Sequence, residues 1–275
     1  MNDQQCIDFL QWCLPRMGYR WPGFRKVRKQ VCKRIVRRIL ELKLADGNSY
    51  KTFLETNAEE WKVLDSFCYI TISRFYRDKQ VFDTIRAIVL PDLAQRAYAT
   101  NEDEISVWSA GCCAGEEAYT LKILWELSVV QHLERIMSFK IVATDKDAQV
   151  LERARRAVYS YGSVKDLPKD YLDLAFAKEG EAFRLKDSFR ENVLFLQQNI
   201  QKERPEGLFD LILCRNLVFT YFEEALQCKI MKGMLAKLKT GGILVIGGSE
   251  MLPQKYFELI PLEGSRGIFR KLNRS

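Results

Sequence analysis

The chain has 275 residues, 47% of them hydrophobic and 29% charged, with a formal net charge of +7. That is enough apolar material for a real core in one large domain or two small ones, and no run of about 18 uninterrupted apolar residues exists to cross a bilayer. The opening MNDQQCIDFLQWCLPRMGYR lacks the charged head and long apolar middle of a secretory signal, which predicts a cytoplasmic protein. The eight cysteines include no CxxC pair, and most sit in apolar runs such as LILCRN. They are therefore expected to be buried free thiols, not zinc ligands. His132 is the only histidine and is expected on a helix or the loop after it in a structural or solvent-facing role, so the chemistry is expected to need no nucleophilic triad or imidazole proton shuttle.

In chain order, residues 1 to about 88 are expected to be mainly helical. An early helix spans Ile7 to Cys13, and a second lies within RWPGFRKVRKQVCKRIVRRILELK, which carries ten basic residues against the single acid Glu41. Val27, Val31, Ile35 and Ile39 recur every four residues there, giving one apolar face and a basic remainder. That helix is either a packed element with a solvated basic face or a docking surface for an acidic partner. No zinc-finger, RRM or KH signature accompanies it, so nucleic acid is not expected. SYKTFLETN and Glu59 to Phe67 supply further helices, separated by turn signals at Pro22-Gly23 and DGNS.

From about residue 105 the pattern changes. The strand-like runs ISVWSA, FKIVATD, NVLFLQQN, FDLILCRN and GGILVIGG alternate with helical runs such as EEAYTLKILWEL and AQVLERARRAVY, and FELIPLEGSRGIFRKL ends the chain as a hairpin. Such alternation predicts a doubly wound α/β sheet, largely parallel. Ligands of such sheets bind beyond the carboxyl ends of the strands, where the strand order reverses. The turn after the first strand, VWSAGCCAGEEAYT, has Gly111 and Gly115 to let backbone approach a ligand. Asp145, ending the next strand, is placed to hold ribose hydroxyls. Neither the G-x-G-x-x-G fingerprint nor a Walker lysine is present. A plain tight turn with an exposed aspartate explains these features equally well.

Six motifs in fixed order go further: TISRFYRD (71–78), WSAGCCAGEEAYT (108–120), VATDKD (142–147), LQQNI (196–200), LCRNLVFTYF (213–222) and GGSE (247–250). Together they resemble the CheR-type protein-glutamate methyltransferases, which methylate bacterial chemotaxis receptors, and the resemblance covers essentially the whole chain. It implies a Rossmann-like class I methyltransferase sheet, largely parallel with a C-terminal antiparallel hairpin, in residues 89–275. A small all-helical domain precedes it in residues 1–88. It also implies S-adenosylmethionine as cofactor, S-adenosylhomocysteine as product, and no metal. Glu116 and Gly111 would hold the cofactor in the glycine turn, Asp145 its ribose, Asn199 and Ile200 its adenine, and Arg215 and Asn216 its methionine part or the substrate. Thr71, Ser73 and Arg77 would reach into the same cleft, with Arg77 and Tyr221 the catalytic residues. Glu116 and Glu117 also suit the first turn of a helix by charge alone, and Arg77 has Asp78 and Glu59 as alternative surface partners.

The implied reaction needs no histidine, since a glutamate side chain with reference pKa about 4.3 is already an anion at neutral pH. The implied acceptor is a glutamate of an acidic, chemoreceptor-like protein that meets the basic helix 25–38; the enzyme is expected to be monomeric, with no membrane insertion. A methyltransferase of the same scaffold acting on a small molecule or another protein is the alternative, and a binding module without turnover is a third. Departures from the family pattern lie mainly on the acceptor side. Thr71 stands for asparagine and Ser73 for threonine, and one extra residue separates Asn216 from the Tyr221-Phe222 pair. Residues 158–192 match the place of the family's small β-subdomain, but the segment is short and no tethering peptide is expected on it.

Overall fold

The computed structural model describes residues 1–272. They form two compact units, Met1–Ile70 with Thr220–Gln227, and Thr71–Phe219 with Cys228 onward.

The first unit is helical. In α1 (Asp3–Cys13) Asn2 and Gln5 exchange side-chain and backbone hydrogen bonds as a capping box, satisfying two donors the helix cannot. A short α2 (Trp21–Phe24) starts on Pro22, and Gly23 beside it is obligatory, because a Cβ there would sit 2.2 Å from the Thr220 carbonyl oxygen. The basic helix is α3 (Arg28–Glu41), and its Val31, Ile35 and Ile39 are buried as the four-residue spacing predicts. Asp46 caps α4 (Gly47–Thr56) by accepting from the Ser49 amide at 2.8 Å, and α5 (Ala58–Phe67) follows. Glu60, only 6% exposed, ties three helices together: it accepts from Arg38 at 2.9 and 2.8 Å and from the Tyr50 hydroxyl at 2.8 Å. The Arg38 guanidinium holds this carboxyl below its ordinary range, and losing that partner would strand a buried charge at a cost of roughly 3–5 kcal/mol. The expectation of free thiols fails at one pair: Cys6 on α1 is bonded to Cys32 on α3. The two lie 26 residues apart in sequence, and helix packing, which spacing alone does not reveal, brings them together. The other six cysteines form no disulfide among the described residues, and five of them are buried.

The second unit opens with α6 (Lys79–Thr84), a π turn over Ile85–Val89, and α7 (Leu90–Ala99). The helical expectation for residues 1 to about 88 covers the first part of this stretch, but its continuation to Ala99 was not evident from the sequence, because Pro91 interrupts it. Proline lacks the N–H of the helical ladder and its ring crowds the preceding turn. The π turn, in which the Leu90 amide reaches back to the Ile85 carbonyl, makes room for it. There follow β1 (Glu104–Ala110), α8 (Glu116–Ser128), β2 (Ser138–Asp145) and α9 (Ala148–Arg156). A small antiparallel sheet is built from β3 (Val158–Ser160), β4 (Phe176–Glu179) and β5 (Ala182–Leu185) in the order β3-β5-β4, with α10 (Tyr161–Val164) and α11 (Lys169–Ala175) in its connection. Phe75 anchors this sheet edge-on, its ring centroid 4.8 Å from Tyr159 and 5.2 Å from Phe176.

The remaining elements are β6 (Val193–Gln197), β7 (Phe209–Cys214), α12 (Val218–Tyr221), α13 (Glu224–Lys237), β8 (Leu238–Ile246), β9 (Leu259–Pro261) and β10 (Ile268–Lys271). The main sheet runs β6-β2-β1-β7-β8-β10-β9. Its first five strands pair in parallel, and the β9–β10 hairpin closes it antiparallel. All five long strand-like runs and the terminal hairpin are therefore present, and the fold is the expected Rossmann-like methyltransferase sheet. The chain runs outward from β1 in both directions, so the reversal lies between β1 and β7. Ligands of open α/β sheets bind at such a point.

Candidate active site

At the carboxyl end of β1 the backbone turns sharply enough that the Gly111 and Cys112 amides both donate to the Thr144 carbonyl of β2, at 2.7 and 3.0 Å. Gly111 and Gly115 have φ of +77° and +87°, and Cys113 between them has +52°, so the turn presents backbone where a side chain would normally stand. A Cβ on Gly115 would press at 3.1 Å on Ala154, Tyr119 and Phe195 together. The turn is locked to β2 by Asp145, which accepts from the Cys113 amide at 2.9 Å and the Asp147 amide at 3.0 Å. Burial drives the Asp145 carboxyl above its ordinary range, and those two amides oppose the shift.

Glu116, the first residue of α8, is only 2% exposed, and its Oε2 has no hydrogen-bond partner among the described residues. Burial raises its carboxyl as well, with Arg153 and the Ser73 hydroxyl among the groups that oppose the rise. A desolvated carboxylate with a vacant acceptor is costly unless a donor or cation meets it. Ser73 thus belongs to the Glu116 environment, whereas Thr71 lies half-buried two residues before it. Beside Asp145, the Gln198 amide donates to the Asp145 carbonyl at 3.0 Å. Asn199 closes a local turn by accepting from the Gln201 amide at 2.9 Å, and Ile200 is buried.

On the other side of β1 stands Arg215. Its guanidinium is 3% exposed and lies 4.7 Å over the Phe82 ring. It is engaged by Glu117 at 3.0 Å, Asp78 at 2.9 Å and the Arg77 carbonyl at 2.6 Å. Asn216, at φ +55°, is held through its amide by Glu250 at 2.8 Å, and Glu250 also accepts from the Gly247 amide at 2.7 Å. Glu117, Asp78 and Glu250 were missed as separate sites in the sequence, although each lies inside a motif that stands out there. Arg77 is half-buried, and among the described residues its side chain makes one hydrogen bond, from Nη1 to the Ile72 carbonyl at 2.9 Å. Neither Asp78 nor Glu59 pairs with it.

Tyr221 falls in the stretch Thr220–Gln227. It belongs to the first unit, where its carbonyl accepts from the Arg20 amide at 2.8 Å and its ring packs 5.0 Å from Phe24. Cys112 and Cys113 are buried, and burial pushes both thiols up, which removes nucleophilic character from the turn. His132 is exposed in a short 3₁₀ turn. Among the described residues no cluster of three His, Cys, Asp or Glu is arranged to hold a metal ion.

A profile described as CheR methyltransferase, SAM binding domain, matches residues 71–266, which span the turn, Asp145, Arg77 and Arg215. The chain belongs to the CheR methyltransferase family. It is 31% identical over 209 residues to the chemotaxis protein methyltransferase of Borreliella burgdorferi, covering 74% of this chain and 73% of that one. To the chemotaxis protein methyltransferase of Escherichia coli it is 31% identical over 232 residues, 81% of this chain and 76% of the other. An uncharacterized 104.1 kDa protein of Rhodobacter capsulatus is 30% identical over 243 residues, and the match spans 25% of its length. Among solved structures, the N-methyltransferase NodS of Bradyrhizobium japonicum shares 13% identity at a TM-score of 0.36, over 72% of this chain and all of that one.

This CheR-type chain is an S-adenosylmethionine-dependent methyltransferase, and its own residues fit that cofactor. The vacant Oε2 of Glu116 suits the cofactor's ammonium group, and Asp145 retains lone pairs for a ribose diol at the end of β2. The glycine turn between them offers close backbone approach.

Proposed function

We propose that this chain converts a glutamate side-chain carboxylate of an acidic, chemoreceptor-like protein to its methyl ester. The observation that carries the acceptor class is Arg77: apart from the bond to Ile72, its fork of N–H donors has no partner among the described residues. A planar guanidinium with vacant donors matches a carboxylate two bonds at a time. Bound in the glycine turn, S-adenosylmethionine supplies a sulfonium methyl, an already activated electrophile. Arg77 then orients the incoming carboxylate, and no residue has to remove a proton from it. Glu116 and Asp145 fix the far ends of the cofactor, and exclusion of water keeps the carboxylate reactive; positioning of this kind supplies roughly 7–11 kcal/mol.

In this reading the helical residues before Thr71 serve docking, and the second unit, which carries Thr71, Ser73 and Arg77, holds the cofactor. The enzyme works as a cytoplasmic monomer. Docking falls to exposed basic residues, Lys26 just before the basic helix and Lys29, Lys33 and Arg37 on it, Arg37 being 83% exposed and paired among the described residues only with its helix neighbour Glu41 at 3.0 Å. Arg28 is occupied by Asp3, Arg34 by the Phe67 and Tyr69 carbonyls, and Arg38 by Glu60. The decisive experiment is incubation with radiolabelled S-adenosylmethionine and an extract of the source cell. Base-labile label on protein is expected, because a carboxyl methyl ester hydrolyses readily. Base-stable label, label on a small molecule, or none at all would overturn the glutamate reading.

A further inference from the structure

We propose that Glu117, Arg215 and Asp78 form a positioning clamp that sets Arg77 for methyl transfer, an inference that rests on the acceptor-orienting role of Arg77. The backbone around Arg77 is unusual. Tyr76 and Asp78, on either side of it, both lie in the left-handed region at φ +57° and +62°, which non-glycine residues hold only when their surroundings over-determine it. Tyr76 is held by its amide, which donates to the Thr120 hydroxyl at 3.2 Å, and Asp78 by an ion cluster built on the buried Arg215, in which Glu117 is 12% and Asp78 39% exposed. Arg215 donates through Nη2 to both the Arg77 carbonyl at 2.6 Å and Asp78 at 2.9 Å, and through Nη1 to Glu117 at 3.0 Å. Glu117 is itself fixed to β1 by the Ser109 hydroxyl at 2.7 Å, and Asp78 receives a further bond from the Asn216 side-chain Nδ2 at 3.3 Å.

Force therefore runs from the rigid sheet through Glu117 and Arg215 into the main chain of Arg77. The Arg215 Nη atoms are committed to this network, which gives Arg215 a role exercised through Arg77. Charge supports the same division of labour. Two carboxylates surround one buried guanidinium, so the cluster repels a third carboxylate and leaves Arg77 as the cation an acceptor meets. The clamp is aimed at the acceptor side, whereas Glu116 and Asp145 serve the cofactor side. Loss of one clamp member should misplace the Arg77 fork without disturbing cofactor affinity.

A double-mutant cycle tests this on the full chain, with base-labile transfer of labelled methyl to extract protein as one readout and S-adenosylhomocysteine calorimetry as the other. Glu117→Gln keeps the shape and removes the charge. It is expected to lower turnover roughly 10- to 100-fold, the penalty of a misplaced reacting group, with affinity for S-adenosylhomocysteine changed less than about twofold. In an Arg77→Ala background the same substitution should cost nothing further, because it acts only through Arg77. Equal losses in both backgrounds, or a fall in affinity matching the fall in turnover, would overturn the clamp while leaving the Arg77 reading intact. Unchanged transfer by Arg77→Ala would overturn both. If circular dichroism shows Glu117→Gln unfolded, Asp78→Asn takes its place in the cycle, since asparagine tolerates the left-handed backbone.

Discussion

Burial raises the carboxyls of both Glu116 and Asp145, and the sign of that shift makes a prediction. A carboxyl whose folded pKa exceeds its unfolded one binds more protons when folded in the window between the two values. Its contribution to stability is then fully present below the ordinary carboxylate value near 4 and is lost as pH rises through the folded value. Cofactor binding reverses the balance, because a cationic ammonium favours the ionised form. Affinity for S-adenosylhomocysteine should therefore fall as pH is lowered from about 7 toward about 5, with proton release on binding seen by calorimetry in buffers of different ionisation enthalpy. Glu116→Gln should weaken binding at neutral pH roughly tenfold or more, on the scale of a lost charge-assisted bond, and flatten the Glu116 part of that pH dependence. The cysteines of the turn make a second test. Because burial keeps Cys112 and Cys113 as thiols, both should resist a thiol-exchange reagent at about pH 8 in the folded protein. Rapid labelling of either in native protein would contradict the packing described.

Two elements of the first unit carry predictions of their own. The Cys6–Cys32 link joins α1 to the basic helix across 26 residues of sequence, and closing a loop of that size stabilises a fold by about 3 kcal/mol in the chain-entropy account. Cys32→Ser should lower the denaturant midpoint accordingly; no change would mean that the link does not form in solution. On the outer face of α3, Lys29, Lys33 and Arg37 are exposed. Replacing all three by glutamine should weaken acceptor capture, with a shallower dependence on salt, and leave helix content unchanged. A salt profile identical to that of the unaltered chain would remove the stripe from docking. Arg28, Arg34 and Arg38 are unsuitable for this test, because each is partly buried and bound to another element of the unit, whereas Arg37 is 83% exposed and among the described residues pairs only with Glu41 one turn along the same helix.

At the scale of the whole molecule, the residues proposed to hold the cofactor lie in the second compact unit. Saturation with S-adenosylhomocysteine at about 100 times its dissociation constant should add about 2.7 kcal/mol of stability. That gain should appear as slower hydrogen exchange in β1, β2 and β7, and much less in α1, α3, α4 and α5; uniform protection of both units would contradict a cofactor site confined to the second.

The main sheet was legible in the sequence because its strands are nearly continuous apolar runs alternating with helices, and period and length survive any tertiary context. The glycine turn, Asp145 and Arg77 stood out for a similar reason: their spacing is local. The continuation of the helical stretch to Ala99 was hidden by Pro91, which a π turn accommodates only in three dimensions. The Cys6–Cys32 bond and the Glu117–Arg215–Asp78 cluster were hidden because their members are far apart in the chain. So too was the placement of Tyr221, which the fold assigns to the helical unit. The sequence by itself thus determined the order of the main-sheet strands and their intervening helices, and the place of the glycine turn after the first strand. Only the tertiary structure decided which basic residues are already paired, which carboxylates are buried with vacant acceptors, and what holds Arg77. Those properties arise from contacts between distant segments, and a one-dimensional pattern does not specify which segments meet.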